Sequence, residues 1–170
     1  MKKNKGFTLV ELIVYSGIVA VGFVAIIYFL LNIVNISVKA KSTLEVQYNA
    51  RFATERISHE IRGATGINVA QSVFGSNPGV LSLEMADPLK NPTIFDVSEN
   101  RLRIKQGSNP VYELTSDEVK VANLIFTNLS QTKTPENIKI NLTIERVNPE
   151  NNPDWQASEG LETAVAVRRD

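Results

Sequence analysis

From Phe7 to Val38 the chain carries a single charge, Glu11. A bilayer core about 30 Å thick is spanned by about 20 apolar residues at about 1.5 Å of rise each. Residues 12–31 meet that length with no charge at all. The run therefore reads as a membrane segment with a carboxylate near its start. A charge at mid-bilayer costs about 2.5–3.5 kcal/mol on insertion scales, and less near the edge. Glu11 either snorkels, is protonated, or awaits a cation, and the span itself contains no basic residue. A partner would have to come from another chain or from a new N-terminus.

Lys2, Lys3 and Lys5 precede Gly6, and the next residues are Phe7-Thr8-Leu9-Val10-Glu11-Leu12-Ile13. This arrangement resembles the cleavage and methylation motif of type IV prepilins and type II secretion pseudopilins. The resemblance implies that a membrane peptidase cuts between Gly6 and Phe7 and that the new Phe7 amine is N-methylated. It also implies that Glu11 meets that amine on a neighbouring subunit during filament assembly. The expected organisation is a cleaved leader (1–6), a membrane or filament-core helix (7–38), an amphipathic helical half (39–66) and a β head (67–170).

Other properties agree. Basic residues ahead of the apolar run predict a cytoplasmic N-terminus and a single pass, with the head outside the inner membrane. The apolar stretch is longer than that of a secretory signal, so the anchor should survive processing. With no cysteine, the head must stand without disulfides and has no thiol chemistry. The chain balances 18 basic against 18 acidic residues. Without the leader lysines the balance is 15 to 18, and from Gly63 onward it is 10 to 14. A nucleic-acid binder would show a basic face, so none is expected as partner. The expected partners are other pilins or pseudopilins, prepilin peptidase and membrane lipid.

No proline occurs before Pro78, and residues 39–62 read as an amphipathic continuation of the same helix. Leu44, Tyr48 and Phe52 recur every four residues, and Ile57, Ile61 and Ala64 continue the stripe after a slip of one. The intervening charges, His59 and Glu60 among them, read as a surface face. Gly63 and Gly66 are terminators. A helix from Phe7 to about Ala64 would be roughly 85 Å long. Gly17 and Gly22 are its weak points, at about 1 kcal/mol each relative to alanine.

Beyond Gly66 short alternating segments predict an antiparallel β head, giving an α+β, pilin-like fold. Strands are expected at 81–85, 93–97, 101–106, 111–114, 119–128 (bulged near Ala122 or Asn123), 138–146 and 163–168. That makes six or seven strands, with a polar loop over 148–160. Residues 51–67 and the later strand order resemble J-type pseudopilins and W-type minor pilins. The missing proline midway through the membrane half and the missing cysteines both depart from many major pilins.

Little competes with this reading. His59, the only histidine, reads as a surface side chain, and no spacing implies a catalytic dyad. The oxygen-rich loop 148–154 lacks the EF-hand spacing, so it reads as a turn rather than a calcium site. Trp155 is expected to fold back onto the sheet edge. The sequence thus predicts a non-enzymatic filament subunit without cofactor; the alternatives are a tip adhesin or ligand-binding subunit, and a membrane-anchored enzyme.

Overall fold

A computed structural model describes residue 6 and residues 8–130 and 136–168. Phe7, Lys2, Lys3, Lys5 and Arg169 lie outside the described residues. The chain divides into two compact units, one ending at Val38 and the other beginning at Lys39. A single helix, α1 (Leu9–Gly63), runs through the boundary.

In the first unit α1 is unbroken at Gly17, at Gly22 and near Tyr28. A Cβ added at either glycine would meet nothing within 4 Å. The large apolar side chains from Leu9 to Ile36 are all exposed. The helix is long and apolar enough to cross a membrane.

The second unit is built on the rest of α1 and eight strands. These are β1 (Ala64–Ile67), β2 (Leu81–Met85), β3 (Thr93–Ser98), β4 (Arg101–Gln106), β5 (Tyr112–Glu113), β6 (Val119–Asn128), β7 (Asn137–Arg146) and β8 (Ser158–Ala166). Strands β1 to β5 form one antiparallel sheet in chain order, and β6-β7-β8 form a second. The α+β architecture is consistent with a pilin-like fold. One cluster of apolar side chains joins α1 to both sheets, with Ile57, Ile61, Leu81, Phe95, Leu102, Leu124, Phe126 and Ile140 fully buried.

Strands β2, β4 and β6 have the expected bounds, and the β6–β7 register shifts between Val121 and Asn123. The β3–β4 hairpin closes on Glu99 and Asn100, both at positive φ (52° and 62°), the backbone that a tight two-residue turn requires. Across that hairpin Arg103 bonds both oxygens of Asp96, at 2.9 and 2.8 Å. This hydrogen bonding raises the guanidinium pKa.

Four expectations need correction. First, the stripe Leu44, Tyr48 and Phe52 does not face the sheets. These residues are 65%, 68% and 44% exposed, whereas Val46, Ala50 and Ala53 are buried with Ile57 and Ile61. At 100° per residue, Val46 and Ala50 lie roughly opposite Leu44 and Tyr48. The inward face mixes small residues (Ser42, Ala50, Ala53) with aliphatic ones (Val46, Ile57, Ile61).

Second, Glu60 is not on a solvated face. It is 4% exposed, and its carboxylate is held by Arg56 at 2.9 Å, one helical turn earlier. Third, the head has an eighth strand, β1, which leaves the helix directly at Gly63, and its strands divide between two sheets. The sheets separate because β5 has only two paired residues, and the free edge of β6 bonds the 75–79 loop instead. Fourth, the last strand begins five residues early, at Ser158. Glu159 and Gly160 read as loop, yet both pair with β7, at Ile144 and Thr143.

A polar cluster fixes α1 to the connection after β5. Asn49, nearly buried, accepts from the Ser116 N–H (2.9 Å) and donates to the Glu45 carbonyl and carboxylate (2.9 and 3.0 Å). Ser116 donates its hydroxyl to the same carboxylate at 3.1 Å. An unpaired amide there would cost about 1–3 kcal/mol, so each partner matters to the seating of the helix.

Candidate functional site

The first helical turn of the anchor holds the residues singled out by sequence. A helix begins with N–H groups that have no partner within it. Thr8 partners one of them, its Oγ1 accepting from the Glu11 N–H at 3.3 Å, while its carbonyl takes the first intrahelical bond, from the Leu12 N–H at 3.1 Å. Thr8 is therefore the N-cap and Glu11 the third residue of the helix. Thr8-Leu9-Val10-Glu11 matches the capping-box pattern, a signal in the sequence that the motif resemblance had overshadowed. Ser16 likewise donates its hydroxyl to the Leu12 carbonyl.

Glu11 is exposed and stands in the first turn, where the helix dipole favours a negative charge. The local fold thus places a carboxylate at the mouth of an apolar helix, where a cation would compensate its charge. Gly6 is exposed, and a Cβ built on it meets nothing within 4 Å. The peptide bond after Gly6 leads to Phe7, which lies outside the described residues.

The other candidates are not gathered with this site. The His59 side chain is exposed and 3.8 Å from the Glu60 carboxylate, which Arg56 already holds. Trp155 is 36% exposed, only partly folded back. Asn148 uses both halves of its amide to close its loop on the Asn152 backbone, at 3.0 and 2.8 Å. Among the described residues, no group of three or more histidine, aspartate and glutamate side chains is placed to hold a metal ion.

Residues 1–27 match the family model described as the prokaryotic N-terminal methylation motif. The chain thus carries the type IV prepilin-like signal. That signal marks pilin-type structural proteins and supports a subunit of the type IV pilin or pseudopilin kind. It implies processing by prepilin peptidase and assembly with other pilin subunits. With the apolar helix, it fits a membrane-anchored pilin. No curated protein and no solved structure matches the chain.

Proposed function

We propose that this chain is a minor pilin or pseudopilin, held in the inner membrane by one pass with its head outside the cytoplasm. Cleavage falls between Gly6 and Phe7, and Phe7 becomes the methylated N-terminus. The subunit is then drawn from the bilayer into a filament. Its Glu11 pairs with the Phe7 amine of a neighbour, and apolar helices pack side by side. The four segments bounded at residues 6, 38 and 66 serve as leader, filament-core helix, supporting helix and head. Nucleic acid has no part in this role, and lipid is the partner only before extraction.

The observation that carries the reading is the carboxylate of Glu11, alone among apolar side chains and capped at a helix start that follows the scissile glycine. A buried or membrane-edge charge persists when a counter-charge compensates it. The exposed row Leu44, Tyr48 and Phe52, with the two rings stacked at 6.2 Å, extends the apolar surface of α1 beyond the anchor. That row suits lateral contact between subunits. The missing proline argues against a major pilin, and the missing cysteines favour a pseudopilin or a pilin of a lineage that does not oxidise its exported proteins.

Intact-mass measurement of protein extracted from membranes tests the processing step. The expected mass lacks residues 1–6 and carries one added methyl group. Gly6→Leu should leave the leader in place. A Cβ at Gly6 meets nothing within 4 Å among the described residues. A full-length mass for the unsubstituted protein would refute the cleavage site.

A further inference from the structure

The two edges of the three-stranded sheet are treated differently. At the β6 edge the 75–79 loop covers the backbone. Gly75 N–H donates to the Phe126 carbonyl (2.9 Å), and Gly79 N–H to the Leu124 carbonyl (2.8 Å). Asn77 completes the cover, accepting from the Leu124 N–H (3.0 Å) and donating to the Ala122 carbonyl (3.2 Å). Unpaired edges invite pairing with another chain, and covering them is the ordinary defence.

The β8 edge has no such cover. Arg146 N–H bonds the Ala157 carbonyl and Val167 N–H bonds the Glu136 carbonyl, at 2.9 and 2.8 Å. In an antiparallel ladder residues alternate between facing the partner strand and facing away. Odd-numbered residues of β8 therefore bond β7, while Ser158, Gly160, Glu162, Ala164 and Ala166 point their N–H and C=O groups outward. Among the described residues no backbone group meets them. All five are exposed, and four have small side chains or none. The long one, Glu162, is paired with Lys139 of β7 at 2.8 Å.

A groove runs beside the end of this edge. It is lined by His59, Arg62 and Gly63 of the last turn of α1, and by the chain from Ala164 to Arg168. Arg62 is exposed and cationic, and Glu60, two residues earlier on the helix, is held by Arg56. An occupant of this groove meets the Arg62 guanidinium.

From the open ladder and the charge beside it we infer that β8 accepts an added strand: an extended, acidic segment of a neighbouring subunit. The segment bonds the outward groups of Ser158 to Ala166 and sets a carboxylate against Arg62 in the groove. Backbone bonds supply the affinity, and the groove supplies preference for a negative end. That the donor belongs to the same filament rests on the function proposed above; the strand-accepting edge does not.

The full-length chain in detergent allows a test without any filament. Two nine-residue peptides alternating valine and threonine serve as probes, one flanked by aspartates and the other by lysines. Residue-resolved amide exchange is the readout. The aspartate peptide should slow exchange at Gly160, Glu162, Ala164 and Ala166 at least tenfold, leaving the odd-numbered amides unchanged. The lysine peptide should need at least tenfold more concentration, and Arg62→Glu should reverse that order. Ala164→Pro, which removes an outward N–H and no ladder bond to β7, should abolish the protection.

Unchanged exchange at those four amides with millimolar aspartate peptide would overturn the assignment. So would equal response to both peptides in the unsubstituted chain. Either result leaves the intact-mass test of the proposed function untouched, and failure of that test leaves these exchange rates untouched.

Discussion

Glu11 has two neighbours in sequence that define what it can do. Thr8 closes the helix onto the Glu11 backbone, and Gly6 is exposed with open space at its Cβ position. The cap and the carboxylate are separable. Thr8→Ala should loosen the first turn by about 0.5–2 kcal/mol, seen as faster amide exchange at Glu11 in micelles. Unchanged exchange would mean the hydroxyl does not cap. In the head, Arg56→Met should destabilise by about 1–3 kcal/mol in denaturant titration, because the Glu60 carboxylate would stay buried without its ion pair. Restoration by a second change, Glu60→Gln, would attribute the loss to that charge. The methylation motif was legible at this scale because its match over residues 1–27 rests on particular residue types in order. The burial of Glu60 was not, since a carboxylate one turn from an arginine looks the same on a solvated face.

At the scale of elements, α1 shows why large side chains misled. Leu44, Tyr48 and Phe52 form the more conspicuous row, yet the sheets take the row with Val46, Ala50, Ala53 and Ile57. Hydropathy alone does not rank alanine above phenylalanine at such positions. Adjacent positions provide a direct contrast. Ala53→Leu should cost about 1–3 kcal/mol by overpacking, whereas Phe52→Ser should change stability by less than about 0.5 kcal/mol, as for exposed sites. Urea titration of the two variants decides which face is inside; equal losses would contradict the buried row. Strands β2, β4, β6 and β7 were legible from alternation. The start of β8 was not, because Glu159 and Gly160 carry loop chemistry while their pairing with Ile144 and Thr143 is set by the longer β7 partner.

At the scale of the whole molecule, an anchor and a head divide the work. The head supplies no gathered metal-binding cluster among its described residues, and its polar groups mostly fasten elements together. Asn49 seats the helix, and Asn77 shields β6. The anchor supplies exposed apolar surface and one carboxylate, which on its own is a poor arrangement and in a bundle of like helices a specific one. Separation into two sheets was beyond the sequence, because it depends on β5 pairing over only two residues and on the 75–79 loop occupying β6.

The pairing of Glu11 with a neighbour's amine is the centre of this account. Its most direct test compares filaments sheared from cells that express the unsubstituted chain or Glu11→Val, with membrane content measured in parallel. The expected result is equal amounts in the membrane and at least a tenfold loss of the variant from filaments. Equal recovery of both chains in the sheared filaments would contradict it.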